Sequence, residues 1–391
     1  MTSSTRAIKK FFVLFALIKI CSFSSFVFGE TREIYFAGVA FTGSAEDASN
    51  VLRYTSELLS AEGLVQLNGQ LSQSLLDSPP KNFNIVFDRL ANIDDGSSAL
   101  VLAAIMDRET VIVEQIGDEY KLLVELAGQA LFFDFREKQI LSSYPVTVQY
   151  IDVSKERPGI EAINSILETI LFDSGERSFV HLITKKLENI NFPQAAVRRI
   201  RVASIEVGDS IKSEHPLLTK TLFDTGIIGH EFSKILSDKL NIAILPYRSG
   251  QALGGAMAAR FANGDIFNLI IPEADYEIHL HVDDFRGRTL NETRSYRQEL
   301  LGAFFRIDVI EPLSGRSFFD QNLKQGATKV IPATQKEFNV GEAYYETLLV
   351  GLAEFATSVA EGNEEWIAQQ DEVRKLNRSF ASLQELIELC R

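Results

Sequence analysis

Cysteine is nearly absent from this chain: of 391 residues, only Cys21 and Cys390 carry a thiol. Cys21 falls within an apolar leader, so a chain that has lost the leader holds one cysteine and cannot close an internal disulfide. Stability must then come from burial, and 391 residues are enough for about two domains with a substantial core. Positive charge is also scarce, with 39 Lys and Arg against 53 Asp and Glu and a formal net charge of −14. Such a surface repels phosphate backbones and anionic headgroups, which excludes nucleic acid as the expected partner unless a basic patch is concentrated locally. The one short basic cluster in the body, Arg198-Arg199 with Arg201, reads as a solvated strand entry. Signatures of chemistry are missing too: there is no GxSxG elbow, no GxGxxG and no GxxxxGK[ST].

What is present first is a leader. Arg6, Lys9 and Lys10 precede the apolar run from Phe11 to Ile18, and Val27-Phe28-Gly29 ends on a small residue before Glu30. A positive end, an apolar middle and a small-residue exit predict a secretion signal over residues 1–29, hence export and a periplasmic location. Lys19 splits the apolar stretch, which disfavours a full span of about 20 residues. An uncleaved amino-terminal anchor at a membrane and lipidation through Cys21 stand as alternatives, the second weakened by Lys19-Ile20 in place of small residues.

The body has 46% hydrophobic and 24% charged residues, the balance of an ordinary globular protein. Its grammar is strand and helix. Two long strand-like runs from Tyr120 to Val153 flank the polar turn Arg136-Glu137-Lys138-Gln139, and Tyr144, Val146, Val148 and Tyr150 alternate with smaller or polar residues as a half-buried strand requires. A second hairpin runs from Tyr296 to Asp320 around Glu311-Pro312-Leu313-Ser314-Gly315. Shorter strands are predicted at Glu33–Phe41, Phe83–Phe87, Ile200–Val207 and Asn241–Tyr247. Ala99–Met106 and Thr110–Ile116 are predicted to form a hairpin around Asp107-Arg108-Glu109, and Glu277–Val282 and the run from Thr289 bracket Asp283–Arg288 in the same way. Helical spacing marks Ser44 to Gly63, the stretch after Gly159, Phe179–Leu187, the face Phe232, Ile235, Leu236 and Leu240, and Tyr344 to Val359. Past Gly362, Val373, Leu376, Phe380, Leu383 and Ile387 form the apolar stripe of an amphipathic tail helix.

Matching elements recur at offsets of 166 (Ile34 to Ile200), 176 (Tyr120 to Tyr296) and 182 (Gly159 to Gly341). The expected fold is therefore α/β (α+β): two similar domains of mixed or antiparallel sheet packed with helices, at 30–192 and 193–361, plus a carboxy-terminal helix at 362–391.

The strand Ile242 to Tyr247 (Ile-Ala-Ile-Leu-Pro-Tyr), the strand Ala274 to Ile278 (Ala-Asp-Tyr-Glu-Ile) and the hairpin Ser314-Gly315-Arg316 are similar to the envelope domains typified by the curli-secretion lipoprotein CsgG and the TolB amino-terminal domain. The resemblance spans Arg199 to Val359 and, more faintly, Glu33 to Leu171. It implies a small mixed sheet with helices and a non-enzymatic role in assembly with other envelope proteins. The chain departs from the pattern at Cys21 and at Arg248 to Gly255, where the family has a longer polar loop, so outer-membrane pore formation does not follow.

One constellation points to chemistry. His279, His281 and Asp283 stand at i, i+2 and i+4 on a predicted strand, so two imidazoles and a carboxylate project from one face and form the candidate metal site. A row along a strand is more simply a solvated polar face, and only His181, His215 and His230 remain as further imidazoles. Gly250, Gly254 and Gly255 before a predicted helix at Ala256–Ala262 resemble a phosphate loop only loosely, and close helix packing explains them better. No catalytic residue and no cofactor is expected. The expected function is non-enzymatic action in envelope assembly, secretion or transport through protein contacts. The alternative is a metal-binding protein or metal-dependent enzyme using His279, His281 and Asp283.

Overall fold

The computed structural model describes residues 32–42, 51–59, 61–87, 99–190, 198–214, 223–247, 256–261, 266–335 and 338–391. The leader over 1–29, Gly250, Gly254, Gly255 and His215 lie outside the described residues. Contacts gather Glu33–Arg391 into one compact unit.

In the first part of that unit, β1 (Arg32–Thr42) is followed by α1 (Arg53–Leu58), α2 (Ala61–Asp77) and the short β2 (Phe83–Val86). Next come the meander β3 (Leu100–Ile116), β4 (Glu119–Asp134) and β5 (Ile140–Ser154), then α3 (Ile160–Phe172) and α4 (Phe179–Asn189). The order begins again with β6 (Ile200–Val207), α5 (Asp209–Glu214), α6 (Thr225–Leu240), β7 (Ala256–Phe261) and β8 (Ile266–Ile270). The meander β9 (Tyr276–Glu292), β10 (Tyr296–Glu311) and β11 (Arg316–Pro332) precedes α7 (Val340–Glu361), α8 (Glu364–Ile367) and α9 (Val373–Glu388).

Both meanders grow from a parallel strand. The second sheet has the order β11-β10-β9-β6, and the first has β5-β4-β3-β1 continued by β7 and β8, with β2 also on β1. β7 and β8 come from the later part of the chain, so the first sheet is completed by residues beyond 193. Bulges fall at matching places: Ala37 and Ala203 in the parallel pairs, Asp107 and Asp283 midway along the first strand of each meander, Leu141 and Phe318 near the second turn. Each bulge inserts one unpaired residue and sharpens the local twist.

The reason these runs are strands is burial on alternate residues. On β10, Leu301, Ala303, Phe305, Ile307 and Val309 are buried while the residues between them are half-buried. The inner face of the second sheet packs on α6, α7 and α9 in one core that includes Phe232, Phe305, Phe319, Phe355 and Phe380. One face of the first sheet packs on α2, α3 and α4 around Leu67, Phe132, Leu167 and Phe179. Each such buried side chain contributes about 1.5–3 kcal/mol. Side-chain caps fix the helix starts, with Ser178 accepting from the His181 N–H, Asp224 from Gly226 and Ile227, and Asn339 from Glu342. α6 and α7 ends are closed by Asn241 and Gly362 in the left-handed region.

Several expectations change on contact with the fold. Asp107-Arg108-Glu109 and Asp283–Arg288 are not turns. β3 and β9 run through them, because a bulge absorbs the polar residue that breaks the alternation. Helix does not stop at Gly63, since α2 continues to Asp77. Ala256–Phe261 is a strand and not a helix. Asn241–Tyr247 makes only a single bridge, at Ile244 with Ser143. Pro246 has no N–H to give, and the segment divides its bonds between the sheets, Ile244 pairing with Ser143 on β5 and the Leu245 N–H reaching Ile200 O on β6 at 2.9 Å. It is thus the joint that stitches one sheet to the other.

Candidate functional site

β9 sends Tyr276, Ile278, Leu280 and Val282 into the core, and Glu277, His279 and His281 to the opposite face. In register, His279 lies between Ser204 and Asp308, and His281 between Glu206 and Arg306. His279 Nδ1 is 2.7 Å from Ser204 Oγ, and His281 Nδ1 is 3.0 Å from Glu206 Oε2. Arg306 Nε donates to Asp320 Oδ1 at 2.6 Å, and Arg201 forks onto buried Glu277. Asp283 is exposed at its bulge, with partial burial raising its carboxyl above the ordinary range. The three residues of the sequence-predicted metal site therefore stand in a row, and His279 and His281 are bonded to different neighbours. Successive side chains on one strand face are about 7 Å apart, whereas zinc draws its ligands to about 2.0–2.2 Å. Among the described residues no group of three or more His, Cys, Asp or Glu side chains is placed to hold a metal ion. His279 Nε2 is buried without a hydrogen-bond partner, 3.7 Å from Glu277 Oε2.

Further along this outer face the character turns apolar and basic. Leu300, Gly302, Phe304, Arg286, Lys324 and Gly326 line a shallow depression of about 300 Å³. The Arg286 guanidinium lies 4.6 Å from the Phe304 ring centroid and pairs with Asp284 at 2.8 Å. Val330, Thr328 and Asn322 on the neighbouring β11 are exposed. This is a broad, solvated sheet face bearing both an aromatic anchor and charge, suited to contact with another surface.

A second polar cluster is internal, and sequence reasoning missed it. The face of the first sheet that carries Arg108, Glu125 and Thr147 meets α6 and α7. Glu231 on α6 accepts from Thr147 Oγ1 at 2.6 Å and from Lys234 Nζ at 3.0 Å. Arg108 Nη2 stands 3.9 Å from Glu125 Oε1, close enough for attraction but too far for a hydrogen bond. Lys121 pairs with Glu342 of α7, and Asn339 Nδ2 donates to Glu114 Oε1 at 2.6 Å. Burial, assisted by the charge on Glu231, pushes the Glu125 carboxyl up to about 7. Glu231 goes the other way: burial opposes its charge, but Lys234, His230 and the Thr147 hydroxyl outweigh it and hold it below the ordinary range. Burial lowers His230, whose Nε2–H is 3.3 Å from Val146 O, and raises Tyr345. The signal was there to read: Glu125 interrupts the apolar run Leu122–Ala127, and Glu231 directly precedes the apolar face residue Phe232.

Beside this cluster a cleft of about 380 Å³ opens between α4 and α6, with Lys185, Lys186 and Lys234 on its walls. It lies at the carboxy-terminal ends of both helices, where the dipole attracts cations. Lys186 Nζ is held by Asp238 at 2.5 Å. Lys186 and Lys234, the latter held by Glu231, are thus paired without an anionic ligand.

No family model matches the chain, and no curated protein matches it. Solved structures with a partial likeness include a minor lipoprotein from Acinetobacter baumannii, at 11% identity and a TM-score of 0.20, covering 42% of this chain and 91% of that one. A Helicobacter pylori protein described as a neuraminyllactose-binding hemagglutinin homologue matches at 15% identity and a TM-score of 0.23, over 41% of this chain and 87% of that one. A protein described as a lipoprotein from Caulobacter crescentus CB15 matches at 16% and 0.20, over 42% and 90%. Among the described residues no helix is long and apolar enough to cross a membrane.

Proposed function

We propose that this is an exported, envelope-associated protein that acts without catalysis, in assembly, secretion or transport, by presenting the outer face of its second sheet to other envelope proteins. The observation that carries the reading is that face itself: three strands of 16 or 17 residues, packed on the inner side except where β9 is exposed from Arg286 to Glu292, whose outer side offers Phe304, Leu300 and Val330 among charged neighbours. Ordinary strands run to about 5–6 residues, so the face is some three times longer than usual. The charged leader end and apolar run at Arg6 to Ile18 support export, and the likeness of the Ile242–Tyr247 and Ala274–Ile278 segments to CsgG and the TolB amino-terminal domain supports a place among such envelope proteins.

A photo-crosslinker placed at Phe304 or Asn322 in cells tests this, with Ile160, exposed on α3, as the control position. Adducts from Phe304 and Asn322 and none from Ile160 are the expected result, with those from Asn322 lost on Arg286→Glu with Phe304→Asp. Adducts equally abundant from Ile160, or recovery of the protein from the cytoplasm, would overturn it.

A further inference from the structure

β5 is the outermost strand of the first sheet and is bonded to β4 along one edge. The first half of its other edge is occupied. Gln139, just before β5, bridges Ile270, and Ser143 exchanges backbone hydrogen bonds with Ile244 at 3.1 and 3.0 Å. Pro145 has no N–H, and the Val146 carbonyl lies 3.3 Å from His230 Nε2. From Val148 to Ser154 nothing among the described residues pairs with that edge. This stretch holds the β-branched Val148, Ile151 and Val153 and the aromatic Tyr150 against a single charge, Asp152. Ile151 and Val153 are 52% and 58% exposed. A free edge of this composition is a template for another strand. The edge of β11, by contrast, is closed at Lys324 by Gln370 and carries a second lysine, Lys329.

We propose that a second copy of this chain occupies this edge, the two β5 strands pairing antiparallel about a two-fold axis at Ile151. Such an axis stands perpendicular to the sheet and sets each residue opposite one on its own face, so it must pass through a residue and not between two. The free stretch is centred on Ile151, and this register therefore uses the whole of it and none of the occupied edge. Ile151 meets the partner's Ile151, Val153 meets the partner's Gln149, and Asp152 meets the partner's Tyr150, a carboxylate opposite a hydroxyl donor. Moving the axis by one residue fails in either direction. At Asp152 it sets two carboxylates opposite each other, and at Tyr150 it drives Ser154 onto Val146, where His230 already lies. The edge belongs to the first sheet, so the pairing is independent of the outer face of the second.

Sedimentation velocity of the purified protein up to about 100 μM reads the association, which mass action favours at high concentration. The expected result is a dimer that Ile151→Asp removes. That substitution sets like charges on the axis, while its exposed position leaves the unfolding midpoint unchanged. Oxidative cross-linking reads the register in a Cys21→Ser background, where the remaining native thiol, Cys390, is buried. Ile151→Cys should link two copies, because directly opposed Cβ atoms lie about 5 Å apart. Val153→Cys should not, because in this register four residues at about 3.3 Å each separate the position from its counterpart. The thiol pair decides the matter should Ile151→Asp fail to fold. A monomer at every concentration, a dimer that persists in Ile151→Asp, no link from Ile151→Cys, or an equal link from Val153→Cys would each overturn the pairing.

Discussion

Gly128 on β4 shows how little slack there is around a single residue. A methyl group there would press on the Ile105 carbonyl oxygen and come within 2.8 Å of the Phe179 ring. Gly128→Ala should therefore cost about 1–3 kcal/mol in denaturant unfolding; an unchanged midpoint would mean that β3 and α4 yield more than their packing suggests. At the outer face, the His279→Ala and His281→Ala double variant should leave the metal content of purified protein unchanged, because the two imidazoles are engaged separately by Ser204 and Glu206. Elemental analysis reads this directly, and a loss of bound metal would restore the metal reading. The spacing that places these histidines on one face was legible in the sequence. Their hydrogen-bond partners on β6, some 75 positions away, were not, because strand pairing and not chain order brings them together.

Among the elements, the carboxy-terminal pair is the most informative. The stripe Leu376, Phe380, Leu383 and Ile387 of α9 lies in the core of the second sheet, together with Trp366, Ile367, Leu386 and Cys390, whose thiol burial pushes up to about 12. Ending the chain after Gly362 should thus abolish cooperative unfolding, measured by near-ultraviolet circular dichroism. Gln370, just before α9, does what a neighbouring strand would do on β11. Its Oε1 accepts from the Lys324 N–H at 2.9 Å, and its Nε2 donates to the Lys324 carbonyl at 3.0 Å. Edge strands invite pairing with other chains, and this amide closes one position of that edge. Gln370→Ala should expose the Lys324 N–H to faster exchange and cost about 1–3 kcal/mol. The amphipathic period of α9 was plain in the sequence, whereas the two-sided bond of Gln370 depends on a turn that no periodicity marks.

Across the whole molecule the proton on Glu125 sets a pH dependence of stability. Its carboxyl is raised in the folded state, so its contribution is fully present below its ordinary 4.5 and is lost as pH climbs through about 7. Glu231 has the opposite sign: held low, it contributes above its ordinary value and loses that contribution as pH falls. Buried His230, held below its ordinary 6.5, also acts between about pH 5 and 8 with the opposite sign, so the comparison with Glu125→Gln isolates the Glu125 effect: the parent protein should lose up to about 3 kcal/mol relative to that variant over the window. Urea unfolding at several pH values reads the difference, and parallel slopes for the two proteins would contradict it.

By itself the sequence determined most of the strands and helices, though not the strand at Ala256–Phe261 nor the single bridge within Asn241–Tyr247, and that a similar order of elements recurs, because a period of 2 or 3.6 in apolar residues is a local property. It also determined that the fold rests on burial without disulfides. Only the tertiary structure decided that Asp107 and Asp283 are bulges inside long strands, that β7 and β8 cross to the first sheet, and that Glu125 and Glu231 meet. Pairing register and the packing of one layer on another join residues about 100 positions apart, and the free energy of a buried charge depends on the neighbours so assembled.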